Sequence, residues 1–244
     1  MNHNVAAKTL ELKEQKSILS RAILDLRKGK FWESLYYYMF RFRTFHYSLV
    51  TTNRRGKIEV GNGSYSSSTV KIAGSGFVKI GKFTSIGSNL SIITGGGHNP
   101  KLISTYPFFF KLVKAEGKAE KYEFTLGDVE IGNDVWIGDD VTIMGDVKIG
   151  DGVVIGAKSF VPRGSRLKDY GIYAGVPVKL IRYRFSEGMI RRLKKLRWWD
   201  LDPETIQNNW EVFYEPTSEA YRKLSRIKAK FKTEKHKYRS RFNF

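Results

Sequence analysis

The chain has 244 residues and a mass of 28.1 kDa, and its 43 Lys+Arg against 24 Asp+Glu give a net charge of +19. It contains no cysteine, which excludes disulfides, thiolate metal sites and cysteine nucleophiles and suits a reducing compartment. No run of about 18 apolar residues could span a bilayer, and the N-terminus lacks the pattern of a signal peptide. We therefore expect a cytoplasmic protein.

The positive charge is concentrated at the two ends of the chain. Residues 1–57 contain 12 Lys+Arg and 4 Asp+Glu, and residues 217–244 contain 10 and 2, so each end has a surplus of 8. Basic chains bind nucleic acid, anionic membrane surfaces or anionic polymers. The middle of the chain has neither a basic stripe nor a nucleic-acid motif, so we expect no nucleic-acid partner.

Residues 1–56 are predicted to be a helical, basic and aromatic extension. Apolar residues recur near helical spacing over residues 6–26, and residues 31–47 mix aromatic side chains with arginines. Such helices could cap the first coil of the repeat that follows, or pack in an oligomer. They could also lie on an anionic membrane, which would make the protein peripheral at the inner membrane face. Both interpretations stay open.

The middle of the chain repeats with a period of six residues. An aliphatic residue returns at every sixth position in two blocks, namely Ile80, Ile86 and Ile92, then Ile131, Ile137, Ile143, Ile149, Ile155 and Val161. A helix would repeat every three or four residues and a half-buried strand every two, so a period of six needs a strand and a turn in each unit. Three units would form one coil of a parallel β-helix, with Gly, Asn and Asp at its corners. The sequence predicts an all-β solenoid over residues 57–185, with loose first coils.

A non-repetitive segment interrupts this solenoid. The offset from Ile92 to Ile131 is not a multiple of six, which predicts an inserted loop over residues 94–127. The loop begins with a glycine-rich stretch that contains His98. Long excursions from a rigid repeat are usually functional, so we expect the chemistry to lie here.

After the solenoid, residues 186–216 are predicted to form helices and residues 217–244 a basic tail. Ser186 is a suitable N-cap for the first helix, and Asp202 followed by Pro203 marks the start of the second. The tail is weakly patterned, and we expect it to be disordered in isolation.

Several segments together resemble the hexapeptide-repeat acyltransferases. They are the hexads, the His98 loop, residues 104–108, residues 132–138, residues 174–179, and Arg184-Phe185 ahead of a helix ending in Trp198-Trp199-Asp200. The closest likeness is to the xenobiotic acetyltransferase branch, which includes streptogramin and chloramphenicol acetyltransferases and related sugar O-acetyltransferases. It covers roughly residues 57–215. The resemblance implies a left-handed β-helix, a homotrimer with active sites between neighbouring subunits, and acetyl-coenzyme A as the acyl donor.

The resemblance also implies the site residues. His98 matches the catalytic histidine, and an imidazole that titrates near neutrality is suited to take a proton from an attacking hydroxyl. The positions that match coenzyme A contacts are Trp136, Gly138, Asp139, Ala157, Pro162, Arg163, Lys179 and Arg182. Their three cations could pair with phosphates, whereas Trp136 and Ala157 could equally be packing residues. Where the family often has threonine then lysine, this chain has Pro162-Arg163.

We therefore predict an acetyl-CoA-dependent O-acetyltransferase that moves the acetyl group directly to a hydroxyl of a sugar or polysaccharide. The basic ends favour an anionic polymer or a lipid-linked glycan. One alternative is an antibiotic acetyltransferase, and another is a non-catalytic scaffold or glycan-binding solenoid. No metal is expected, because a carbonic anhydrase on the same prism needs three histidine ligands and the repeat region has only His98.

Overall fold

The structure, a computed structural model, describes residues 50–51, 58–113 and 124–242. These residues all belong to the second of two compact units, Tyr47–Phe244. The helical extension predicted for residues 1–56 lies outside the described residues, apart from residues 50–51.

Sixteen short strands occur within the described residues. In chain order they are β1 (Val50–Thr51), β2 (Ile58–Val60), β3 (Tyr65–Ser66), β4 (Lys71–Ala73), β5 (Val78–Ile80), β6 (Ser85–Ile86), β7 (Ser91–Ile93), β8 (Val129–Ile131), β9 (Trp136–Ile137), β10 (Thr142–Met144), β11 (Val147–Ile149), β12 (Val154–Ile155), β13 (Phe160–Val161), β14 (Arg166–Leu167), β15 (Gly171–Gly175) and β16 (Val178–Tyr183).

The strands form three sheets in which every third strand of the chain is a neighbour. Sheet A has the order β1-β4-β7-β10-β13, sheet B β14-β11-β8-β5-β2, and sheet C β16-β15-β12-β9-β6-β3. Among the described strands the pairs are parallel, except that β16 folds back antiparallel on β15. Ile131 pairs with Ile149, 18 residues on, so three hexads make one coil. The predicted parallel β-helix is confirmed.

The repeating aliphatic side chains fill the inside of the prism. Both blocks of sixfold residues are buried there, from Ile80 to Val161. The strand positions between them face outwards, as at Lys148, which is exposed between buried Val147 and Ile149. Each fully buried aliphatic side chain contributes about 1.5–3 kcal/mol, so these columns are the main hydrophobic contribution to the fold.

The corners of the prism need backbone conformations that few residues tolerate. Between sheets B and C, successive coils place Asp134, Gly152 and Tyr170 at φ of 56°, 68° and 56°. This left-handed region favours glycine and aspartate, which explains why the hexads carry them. Phe83, at φ 54°, and Tyr170 are exceptions at this corner, and Tyr170 is only 1% exposed and packs against Phe185, with ring centroids 5.8 Å apart.

Side chains at the same corner connect one coil to the next. The Asp151 Oδ1 accepts a hydrogen bond from the Asn133 backbone N–H at 2.8 Å, and the Asp169 Oδ1 accepts one from the Asp151 backbone N–H at 2.8 Å. The Asn and Asp residues of the hexads therefore satisfy backbone donors of the neighbouring coil as well as forming the turn.

The insertion leaves the prism at the corner between sheets A and B. Val78 pairs with Val129, 51 residues on instead of 18, so 33 extra residues lie between β7 and β8. Residues 114–123 of the insertion are outside the described part. Its first half ends in a single π-helical turn, Phe109–Val113.

The C-terminal region contains α1 (Glu187–Leu196), α2 (Pro203–Gln207) and α3 (Thr217–Phe242), with 3-10 turns at Trp198–Asp200 and Trp210–Tyr214. The predicted caps are present, since Ser186 Oγ accepts from Met189 N–H at 3.4 Å and Asp202 Oδ1 accepts from Thr205 N–H at 2.9 Å. These helices cover the corner between sheets B and C, where the ring of Trp198 packs against that of Phe83 at an angle of 47°, with ring centroids 4.9 Å apart.

In the context of the whole chain the basic tail is helical, and its expected disorder in isolation stays a prediction. Residues from Thr217 onwards form α3, which packs on α1 around the buried Leu224. Ala220, Leu224, Ile227 and Phe231 lie four, three and four residues apart and so share one helix face. This apolar stripe is narrow, and it is hard to recognise in the sequence because ten basic residues are interspersed with it.

Candidate active site

The insertion that carries His98 leaves the prism through a hydrogen-bonded neck. Thr94, which is fully buried, donates its N–H to the Ala73 carbonyl at 2.7 Å and accepts the Leu126 N–H at 2.8 Å. Gly95 and Thr125 form an antiparallel bridge directly beside it. The outgoing and returning ends of the insertion are therefore fixed to each other and to the coil below.

His98 lies four residues beyond Thr94, with its side chain exposed to solvent. Its Nδ1 makes a short hydrogen bond to the backbone carbonyl of Thr105. A carbonyl can only accept, so Nδ1 must carry the hydrogen. In the neutral imidazole this leaves the lone pair on Nε2, which is the atom free to accept a proton.

Local hydrogen bonds shape the loop between His98 and Thr105. The Asn99 Oδ1 accepts the Lys101 N–H at 3.0 Å, and the Ser104 Oγ accepts the Tyr106 N–H at 3.1 Å. These side chains stabilise two successive turns. The turns bring the Thr105 carbonyl back to His98, so the loop sequence fixes the orientation of the imidazole.

The rest of the described insertion presents apolar side chains to solvent. Six large hydrophobic side chains are exposed in the monomer: Leu102, Ile103, Tyr106, Phe108, Phe110 and Leu112. An apolar surface of this kind beside a candidate catalytic residue is typical of a contact with another molecule.

Four of the predicted cofactor residues lie on sheet C or at its corner with sheet A. Trp136 is on the outer face of β9 and is 58% exposed, so it is not a residue of the prism interior. Asp139 and Ala157 stack one coil apart at the corner, and both are exposed. Gly138 is buried beside them, where a Cβ atom would come within 2.6 Å of the Ala157 nitrogen. Gly138 is therefore needed for the close approach of two coils.

The predicted cations divide into two groups. Lys179 and Arg182 are exposed on β16, where they pair with Ala174 and Ile172 of β15 at the edge of sheet C. Arg163 follows Pro162 at the other corner, between sheets A and B, and its Nε donates to the Leu126 carbonyl at 3.0 Å. Within one chain, then, Arg163 and Pro162 lie at the neck of the His98 insertion, whereas Trp136, Lys179 and Arg182 lie along sheet C.

Arg184 follows the last strand and lies at the corner between sheets B and C. Its Nη1 donates to Asp134 Oδ2 at 3.1 Å and to the Gly152 carbonyl at 2.8 Å. Burial raises the pKa of the Asp134 carboxyl, and the Arg184 guanidinium opposes this by favouring the charged form. The pair joins the last strand to two coils of the prism.

Two backbone carbonyls hold the candidate site residues in place, that of Thr105 at His98 and that of Leu126 at Arg163. Any residue carries a carbonyl, so residue type could not reveal them. Thr94 was detectable in principle, as a threonine at a position where the repeat ends.

Within the described part of the chain, no group of three or more histidine, aspartate or glutamate side chains is arranged to hold a metal ion. The same residues include no helix that is both long and apolar enough to cross a membrane.

Comparisons with known proteins agree with the hexapeptide repeat. Residues 128–163 match the family described as bacterial transferase hexapeptide (six repeats). The chain is 43% identical over 145 residues to a probable macrolide acetyltransferase of Lysinibacillus sphaericus, covering 58% of this chain and 77% of that protein. It is 40% identical over 132 residues to a chloramphenicol acetyltransferase of Agrobacterium fabrum, covering 52% of this chain. It spans only 62% of the length of that second relative.

Among solved structures, the chain is similar to a galactoside acetyltransferase in complex with coenzyme A. The identity is 25%, the TM-score is 0.40, and the match covers 58% of this chain and 68% of that one. A polysialic acid O-acetyltransferase is 24% identical with a TM-score of 0.43, covering 57% of this chain and 60% of the other. These structural likenesses are too distant to carry an argument about substrates.

Proposed function

Because the chain belongs to the hexapeptide-repeat acetyltransferases, we propose that it transfers an acetyl group from acetyl-coenzyme A to a hydroxyl group, with His98 as the general base. The observation that carries the proposal is the hydrogen bond from His98 Nδ1 to the Thr105 carbonyl. It holds the imidazole in the tautomer that leaves Nε2 able to accept a proton.

The reaction is a direct transfer. The Nε2 of His98 takes the hydroxyl proton as the acceptor oxygen attacks the thioester carbonyl carbon, and a tetrahedral oxyanion forms. The carbon–sulfur bond then breaks, and the thiolate of coenzyme A receives the proton from the imidazolium. The chain has no cysteine, so a thioester intermediate on the protein plays no part.

Coenzyme A is proposed to contact Trp136, Gly138, Asp139, Ala157, Pro162, Arg163, Lys179 and Arg182. Two features of the structure support this set. Trp136 exposes more than half of its side-chain surface on sheet C, close to the corner where Ala157 leaves an open surface. Lys179 and Arg182 are exposed cations at the edge of the same sheet and suit phosphate groups.

A homotrimer is proposed as the active form, and the outer faces of the prism support it. Sheet B is charged outside and its charges are paired, as between Lys148 and Glu130 at 3.0 Å. Sheets A and C each carry one mostly apolar outer column instead, formed by Ala73, Ile93 and Met144 on sheet A and by Tyr65, Ser85, Trp136, Val154 and Ile172 on sheet C. A closed ring of three prisms would cover two faces of each subunit and leave one in water. In such a ring, the two groups of cofactor residues would come from neighbouring subunits.

The acceptor is proposed to be a sugar hydroxyl of a glycan, a choice favoured by the excess of positive charge at the chain ends. A second candidate acceptor is an antibiotic. It is favoured by the relatives themselves, which are chloramphenicol, macrolide and virginiamycin A acetyltransferases.

The test is acetyl-CoA turnover by the full chain against a panel of neutral sugars, acidic polysaccharides and antibiotics. His98→Ala is expected to lower kcat on the order of a hundredfold or more, the usual contribution of a general base. His236→Ala is the matched control, because it removes a histidine far along the chain in α3. Unchanged turnover in a folded His98→Ala protein would remove His98 from the role. Failure to consume acetyl-CoA with any acceptor would favour a non-catalytic solenoid.

A further inference from the structure

Helix α3 is attached to the protein by one face. Leu224 is buried, and Tyr221, Ile227 and Phe231 pack around it against α1. The Lys228 Nζ adds a polar attachment, since it donates to the carbonyls of Leu196 and Arg197 at the end of α1. These contacts use the apolar residues of α3 and fix which side of the helix is turned outwards.

The outward side of α3 carries a row of three cations, Arg222, Arg226 and Lys230. All three are exposed and lie four residues apart, so about 6 Å of helix rise separates each from the next. None has an ionic partner among the residues that the structure describes. Their neighbour Lys223, in contrast, pairs with Glu215 at 2.6 Å.

Such a row is unfavourable unless something neutralises it. Like charges at i and i+4 destabilise a helix by about 0.2–0.5 kcal/mol per pair. A chain of acidic groups along the row would remove this repulsion and release bound counterions. We therefore expect the helix to be more stable with a polyanion bound than without one.

We propose that the row Arg222, Arg226 and Lys230 binds an acidic polysaccharide. The described outward surface of α3 offers no large apolar side chain to insert into a bilayer, because those residues face α1. The sequence contains no nucleic-acid-binding motif, which disfavours DNA and RNA as the polyanion. An acidic polysaccharide needs neither an inserted apolar side chain nor such a motif.

This inference rests on the proposed function in one respect, namely that the bound polymer is a glycan. Helix α3 would then hold the glycan near the active site that acetylates it. Binding is therefore measured in the absence of acetyl-CoA, on the full-length chain, with polygalacturonate as the probe and neutral dextran as its uncharged counterpart. Vesicles of phosphatidylglycerol and double-stranded DNA are the competing ligands.

The test variant is Arg222→Gln/Arg226→Gln/Lys230→Gln, and the matched control is Lys79→Gln/Lys148→Gln/Arg166→Gln. Both remove three positive charges, but the control cations on sheet B are paired with Glu59, Glu130 and Asp146. We expect the test variant to lose about tenfold or more in affinity for polygalacturonate at low salt. Its slope of log affinity against log salt should also fall by about two to three. The control variant is expected to lose less than threefold.

Circular dichroism checks that both variants keep their helices, and Arg222→Lys/Arg226→Lys should retain binding. Equal losses in the test and control variants would overturn the proposal, since net charge alone would then explain the effect. Tighter binding to vesicles or DNA than to polygalacturonate would also overturn it. Acetyl transfer to a neutral sugar is followed separately. Its failure would count against the proposed reaction and leave the binding result standing.

Discussion

The Nε of Arg163 donates to the Leu126 carbonyl across 3.0 Å, and so connects the coil after β13 to the returning end of the His98 insertion. Leu126 in turn donates its N–H to the Thr94 carbonyl at 2.8 Å. One guanidinium thus contacts the neck from which the candidate base extends. Arg163 was predicted as a phosphate contact, and its Nη groups are still suited to that role, because only Nε is used at the neck.

Substitution of Arg163 is expected to separate these two roles. Arg163→Lys keeps the charge but has a single nitrogen, which cannot serve both the neck and a phosphate. We expect kcat to fall about tenfold, because His98 is then held less firmly, while the KM for acetyl-CoA changes less than about threefold. Arg163→Gln removes the charge as well and should raise this KM. Steady-state kinetics with acetyl-CoA varied gives both constants. A Lys variant with unchanged kcat would rule out the positioning role.

The second prediction concerns Trp136, which is 58% exposed on sheet C. If its indole packs against coenzyme A, Trp136→Ala should raise the KM for acetyl-CoA about tenfold, since a buried aromatic contact contributes on the order of 1–3 kcal/mol. Tyr65→Ala is the control, because Tyr65 lies in the same outer column two coils away. Sedimentation must show the same assembly for both proteins. Equal KM increases in the two variants would indicate a general effect on the subunit interface.

The sequence predicted those parts of the fold that depend on repetition. Hexad residues such as Ile143 are buried because a period of six returns each of them to the inner face of the prism. The break in this period before Ile131 revealed the insertion. The path of the insertion could not be predicted, because the carbonyl of Thr105 reaches His98 only through two turns set by Asn99 and Ser104. The position of Arg163 in the repeat also does not predict its hydrogen bond, because its partner Leu126 lies 37 residues earlier in the sequence, in the non-repetitive insertion.

The third prediction concerns the packing of helix α3 on α1. Leu224 is 4% exposed in the cluster between α1 and α3, so Leu224→Ala should lower the free energy of unfolding by about 2–5 kcal/mol. Ala229→Ser, on the exposed side of the same helix, should change it by less than about 0.5 kcal/mol. Thermal unfolding followed by circular dichroism measures both. Equal melting temperatures for the two variants would mean that α3 is not packed on the protein in solution.

The last prediction concerns Asp134 and Arg184. Asp134 lies at φ 56°, which asparagine also tolerates, and burial of its carboxylate is costly. Asp134→Asn should therefore change stability by less than about 1 kcal/mol at pH 7. Arg184→Met removes the partner and leaves the carboxylate without its charge-assisted hydrogen bond at 3.1 Å, so it should cost about 1–3 kcal/mol. Melting temperatures at pH 7 measure both effects. If Asp134→Asn lost more stability than Arg184→Met, the unpaired buried carboxylate would not be the main cost.

The pH dependence of stability gives an independent check on the same pair. Burial, the larger effect, raises the folded-state pKa of Asp134 above its ordinary 3.8 despite the opposing Arg184. Between these two values the folded protein holds the proton more tightly than the unfolded chain does. This contribution to stability is therefore complete below the ordinary pKa and is lost as pH rises through the folded one. Asp134→Asn should abolish that part of the decline. Arg184→Met should extend the decline to higher pH, because the carboxyl pKa rises further without the guanidinium. Identical pH profiles for the wild type and both variants would show that Asp134 does not titrate in this way.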